Sequence, residues 1–246
     1  DPNTLPILLQ YVNADGSRYG YTISPPIGRT SKYVEQYAYV FDTTRIATRQ
    51  DACFVMRDEE DLLHREPFIG RFATVGNLRS PFTFALINIH TDPDEISTEL
   101  NTLANVYLIV ADFFLRPAAG EYPEDDVILL GDLNADPTRF QNLGQLPNVV
   151  PTIVGIPTNY TRSKTNDNIL INRVTTGEFT GRSGALVQIH EVGFDPPLGE
   201  EPQRLARVRA FFHAEYLNFH HRPARMSSRK RGSSAYRLAP GHWVRA

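Results

Sequence analysis

The sequence predicts an α/β fold, and three stretches carry the prediction. Val127–Leu130 is a continuous apolar run and Phe82–Ile89 a longer, largely apolar one, both with the character of buried strands. Each ends in a polar group, His90 after one and Asp132 after the other. Between them, Asp92–Phe113 places Ile96, Leu100, Leu103, Val106, Tyr107 and Val110 at helical spacing, and Pro93, Asp94 and Glu95 suit its first turn. A strand, a helix and a strand with polar residues at the strand ends is where α/β folds place sites.

Chain length and composition agree with one large domain. The 246 residues, 41% hydrophobic and 22% charged, are enough for a sizeable core. No apolar run approaches the length of a membrane span. Cys53 is the sole cysteine, which excludes an intrachain disulfide and leaves the redox compartment open. No signal peptide is visible at Asp1, so localisation is undetermined.

Charge divides the chain. From Gln203 onward ten basic residues face one acid, Glu215, a balance of +9 that leaves −12 for the first 202 residues. Residues 1–185 read as the folded domain and 186–246 as a basic extension. Arg229-Lys230-Arg231 with interspersed aromatics suits phosphate and base contact, but the Arg, Pro, Ser and His enrichment equally suits unselected sequence, which is the preferred reading. One helix over Pro202–Phe219 and little order beyond Pro223 are expected.

Taken in order, Tyr19–Ile23 and Gln36–Phe41 read as strands, separated by a loop that Pro25 and Pro26 keep out of a sheet interior. Arg45–Thr48 is expected to pair with the second strand as a hairpin. Arg57–Leu63 is an acidic surface loop, and Phe68–Phe72 returns to strand. Beyond Asp132, Thr138–Asn142 suggests one helical turn and Asn159–Asp167 a polar loop, with short strands at Ile169–Ile171 and Glu178–Thr180.

The segment Gly131-Asp132-Leu133-Asn134-Ala135-Asp136 invites two readings. Gly, Asp and Asn are common turn formers after any strand. Alternation along an extended chain would instead send Asp132 and Asn134 to one side, where their oxygens could serve a hard cation or a phosphate.

Six blocks together carry a resemblance. Pro26-Ile27-Gly28-Arg29, Tyr33-Val34-Glu35-Gln36-Tyr37, Arg65-Glu66-Pro67, Asn88-Ile89-His90, Gly131 to Asp136 and Asn166-Asp167-Asn168-Ile169 follow one another in an order and rough spacing that resemble the deoxyribonuclease-I-like nucleases of the endonuclease/exonuclease/phosphatase superfamily. The match runs from about Tyr19 to Arg182.

The resemblance implies a four-layer α/β/β/α sandwich and metal-dependent hydrolysis of DNA phosphodiesters. His90 would donate a proton, held in its tautomer by Glu35. Asp132 and Asn134 would bind a divalent metal, Mg2+ with Ca2+ or Mn2+ as alternatives, or the scissile phosphate. Asp167 would orient a second histidine acting as general base, and Arg65, Tyr33 and Asn134 would contact the substrate. The family's opening strands with their metal-ligand Glu have no counterpart in Asp1–Asn13, and its closing Ser-Asp-His block does not occur in this sequence. The expected domain is therefore incomplete at both ends. Two alternatives accompany hydrolysis of DNA: a non-catalytic nucleic-acid-binding or vestigial homologue, and a phosphatase acting on a small or lipid phosphoester.

Overall fold

A computed structural model describes residues 3–31, 33–76, 81–117, 121–159 and 161–185. The basic extension and the helix expected at Pro202–Phe219 lie outside the described residues. The class is α+β, with helices against mixed sheets. In chain order the elements are α1 (Thr4–Val12), β1 (Tyr19–Ile23), β2 (Ala38–Asp42), β3 (Ile46–Ala47), β4 (Cys53–Val55), β5 (Phe68–Thr74), β6 (Thr83–His90), α2 (Ile96–Leu115), β7 (Val127–Asp132), β8 (Val149–Pro151) and β9 (Asp167–Asn172). Two 3-10 turns, Pro137–Arg139 and Gln141–Gln145, follow β7.

Strands β1 and β2 pair antiparallel as a small sheet. Among the described residues the other seven strands form a larger sheet in the order β3-β5-β6-β7-β9-β8, with β4 also on β5. Among the described strands only β6 and β7 run parallel, joined by α2 as a crossover. Every residue of β7 is buried, because both faces of the sheet are covered. On one face Val127 and Leu129 join Leu100, Leu103 and Val110 of α2 in a single apolar cluster. On the other, Ile128 and Leu130 meet Tyr37, Tyr39, Phe68 and Phe72. Alternation along one strand thus feeds two cores, each fully buried aliphatic side chain adding about 1.5–3 kcal/mol. Helix α1 contacts β1, with none of its own residues buried. Asn13, just after it, grips Tyr19 through both its amide atoms.

Three expectations need correction. Arg45–Thr48 does not pair with β2: Ile46 and Ala47 lie opposite Thr74 and Ala73 of β5. The Asp42 carboxylate accepts from the Thr44 backbone and closes a turn that passes the chain from one sheet to the other. Helix α2 begins at Ile96 rather than Asp92, since Asp92 accepts from the Asp94 amide and Glu95 bonds back to its carbonyl. Glu178–Thr180 forms no strand, because Gly177 and Phe179 turn back on Thr175 and Thr176.

Candidate active site

The site sits at the carboxyl ends of β6 and β7. Parallel register sets His90 opposite Asp132, and antiparallel register sets Asp132 opposite Asp167, so three titratable residues form one row across β6, β7 and β9. Gly131 permits the close approach. Its φ is +148°, and a Cβ there would stand 1.8 Å from the Ile89 carbonyl oxygen. Immediately beyond, the Asp132 Oδ1 accepts from the Asn134 amide at 3.0 Å, and Asn134 takes a left-handed φ of 49°. Its Nδ2 donates to the Thr91 carbonyl at 2.7 Å, tying the β7 turn to the residue after His90.

A second segment brings Glu35. Ile27 and Glu35 bridge through two backbone hydrogen bonds of 2.8 and 2.9 Å, closing the loop that holds Gly28 and Tyr33. The Glu35 Oε2 lies 2.8 Å from Nδ1 of His90, and the opposite ring nitrogen, Nε2, lies 3.9 Å from the Asp132 Oδ2. The imidazole is therefore flanked by two carboxylates. With Nδ1–H donating to Glu35, Nε2 is the nitrogen directed toward Asp132.

Arg65 is buried, at 6% exposure, and its guanidinium serves the site from behind. Nη1 donates to the His90 carbonyl at 3.0 Å, and Nη2 stands 3.3 Å from the Glu35 Oε1. Tyr33 is largely exposed, its ring edge-on to that of His64 at 6.3 Å. Asp167 begins β9 instead of lying in the polar loop; its backbone amide and that of Asn166 donate to the Thr158 hydroxyl. The sequence-predicted residues Glu35, Arg65, His90, Asp132 and Asn134 thus form one connected network, with Asp167 in register beside it and Tyr33 at its rim.

Sequence reasoning assigned no role to Tyr37, Thr91 or Glu99. The Tyr37 hydroxyl accepts from the His90 amide at 3.0 Å, and burial raises its pKa well above the usual phenol range. Glu99 accepts from the backbone amides of His64 at 2.6 Å and Asp92 at 2.7 Å. It thereby holds the residue before Arg65 against the turn that follows His90. Burial raises the Glu99 pKa, against the opposing pull of those two hydrogen bonds. A signal existed: Glu99 falls three residues after Ile96, a charge on the apolar stripe of a helix.

Over 136 residues the chain is 36% identical to human deoxyribonuclease-1-like 1, covering 54% of this chain and 41% of that protein. The chain is homologous to the deoxyribonuclease-1-like proteins. Bovine deoxyribonuclease-1 is 31% identical over 135 residues, covering 52% of this chain and 43% of that protein. The chain thus spans about two fifths of the length of these deoxyribonuclease relatives. No protein-family model matches the chain. Similar solved structures include humanized D. rerio TDP2, with a TM-score of 0.43 at 15% identity over 68% of this chain and 66% of that one. The human Nocturnin catalytic domain with bound sulfate has a TM-score of 0.38 at 14% identity over 69% of this chain and 64% of that one. Among the described residues no helix is long and apolar enough to cross a membrane.

Proposed function

We propose that this chain hydrolyses phosphodiester bonds of DNA with the aid of a divalent metal. The observation that carries the reading is His90 held between Glu35, 2.8 Å from Nδ1, and Asp132, 3.9 Å from Nε2, in a chain homologous to deoxyribonuclease-1-like proteins. Glu35 fixes the ring's orientation and Arg65 holds Glu35. Protonated at both nitrogens, His90 gives the Nε2 proton to the departing oxygen as water adds to phosphorus and the P–O bond breaks.

The donors at Asp132 and Asn134 fit a hard divalent cation. The Asn134 amide nitrogen is engaged by the Thr91 carbonyl, so its carbonyl oxygen is the atom left to serve as ligand beside the Asp132 carboxylate. One or two such donors, with waters and phosphate oxygens completing the shell, suit Mg2+. When bound, the cation would neutralise charge on the phosphate.

The test is nicking of supercoiled plasmid. Nicking that requires Mg2+, stops with EDTA and disappears in His90→Ala supports the proposal; an intact plasmid with folded protein refutes it. Salt-dependent DNA binding that needs no Mg2+, with no nicking, would instead identify a non-catalytic nucleic-acid-binding homologue.

A further inference from the structure

The last residue of β6 lies past the end of the neighbouring strand. Ala85 and Thr91 donate their backbone N–H groups toward β7, to the carbonyls of Asp126 and Asp132 at 2.9 and 3.0 Å. Odd-numbered residues along β6 therefore face β7, and His90 turns its N–H and C=O the other way, toward β5. There the ladder stops short: Phe68, the first residue of β5, stands opposite Asn88.

Two side chains take the place of the missing strand. The Arg65 Nη1 donates to the His90 carbonyl, and the Tyr37 hydroxyl accepts from the His90 amide at 3.0 Å. A buried backbone N–H left without an acceptor costs about 1–3 kcal/mol, so this amide depends on the phenol. The phenol is itself fixed. Its ring is buried in the core beside Tyr39, Phe68 and Phe72, the Tyr37 amide donates to the Ser24 hydroxyl at 2.8 Å, and the Tyr37 carbonyl accepts from the Ser24 amide at 2.8 Å. Two residues earlier on the same segment is Glu35, 2.8 Å from the His90 Nδ1. One segment thus grips His90 twice, the ring through Glu35 and the main chain through Tyr37. The two grips do different work: Glu35 sets the rotation of the imidazole, and Tyr37 sets where its Cα stands. A reacting group displaced by about 1 Å can lose about 10²-fold in rate.

We propose that Tyr37 is a positioning residue, whose hydroxyl fixes the end of β6 so that the His90 Nε2 meets the phosphodiester beside Asp132. The proposal deepens the hydrolytic reading above and rests on it for its kinetic consequence.

Tyr37→Phe keeps the packed ring and removes the acceptor. Tyr39→Phe is the control, because it removes a buried hydroxyl of the same core that donates to the Phe68 and Leu86 carbonyls instead. In the full chain labelled with 13C,15N-histidine, His90 is assigned among the seven histidines by its loss in His90→Ala. Its amide and ring signals should shift in Tyr37→Phe and hold in Tyr39→Phe. Mg2+-dependent nicking, measured well below the Tm of each variant, should fall about 10- to 100-fold in kcat in Tyr37→Phe with little change in KM, and stay near wild type in Tyr39→Phe. Unmoved His90 signals in Tyr37→Phe, an unchanged kcat in that variant of an active chain, or an equal loss in Tyr39→Phe would overturn the proposal. The spectroscopic arm needs no turnover. If the wild type leaves the plasmid intact while Tyr37→Phe still moves the His90 signals, hydrolysis is refuted and the hold of Tyr37 on His90 is upheld.

Discussion

Fifty-five positions separate Glu35 from His90 in the sequence, and 2.8 Å separates the Glu35 Oε2 from the His90 Nδ1. Glu35 reaches the ring from a bridged loop, His90 from the end of a buried strand, and Arg65 spans both through the Glu35 carboxylate and the His90 carbonyl. The pair is thereby oriented from two directions, which leaves Nε2 facing Asp132 at 3.9 Å.

His90→Ala should lower the rate of Mg2+-dependent plasmid nicking by about 10²–10⁴-fold, the usual weight of a general acid. Glu35→Gln should cost less, because it acts through the ring. It should also lower kcat with little change in KM, an effect that distinguishes positioning of His90 from a role in substrate binding. An unchanged kcat in Glu35→Gln would separate the two residues functionally.

Arg65→Lys keeps the charge and loses the fork. Because Arg65 is buried and bonds both the His90 carbonyl and Glu35, the substitution should destabilise by about 1–3 kcal/mol and lower kcat/KM for nicking. Urea unfolding with steady-state nicking checks both. Wild-type stability in the variant would mean that the guanidinium geometry is dispensable.

Gly131→Ala combines a φ that L residues rarely adopt with a Cβ 1.8 Å from a backbone oxygen. The expected loss is about 2–5 kcal/mol in urea unfolding, since backbone on β6 must move and β6–β7 register at His90 and Asp132 with it. Activity at low temperature should fall along with stability.

Glu99 gives a pH signature. Its folded-state pKa is raised by burial above the ordinary carboxylate value, so the folded chain binds the proton more tightly than the unfolded chain. The stabilisation this contributes is full below the unfolded value, about 4.3, and declines as pH rises through the raised value. Glu99→Gln should cost about 1–3 kcal/mol at pH 4. The gap to wild type should narrow toward pH 7, measured by urea midpoints at both values. A gap that widens with pH would reverse the sign of the Glu99 contribution.

Much of the framework was legible in the sequence because burial on both faces leaves a local trace. The apolar runs ending at His90 and Asp132, the β1 segment and the helical stripe from Ile96 to Val110 all stand where the apolar pattern put them, and Glu35, Arg65, His90, Asp132 and Asn134 of the motif blocks lie together. Short edge elements left no such trace: β4 and β8 have three residues each, and hydrogen bonds to β5 and β9 define them more than their own composition does.

What the sequence by itself determined is therefore the order of strands, helix and polar strand ends, and the set of residues available for chemistry. Only the tertiary structure decided which of them touch. Register across β6, β7 and β9 is a property of hydrogen bonds between distant segments, and it alone aligns His90, Asp132 and Asp167. The same holds for Arg65, which was expected at a substrate phosphate and lies buried against Glu35 and the His90 carbonyl, and for Glu99, whose two backbone partners lie outside its own helix. Each depends on desolvation by neighbours remote in the chain, which no local pattern records.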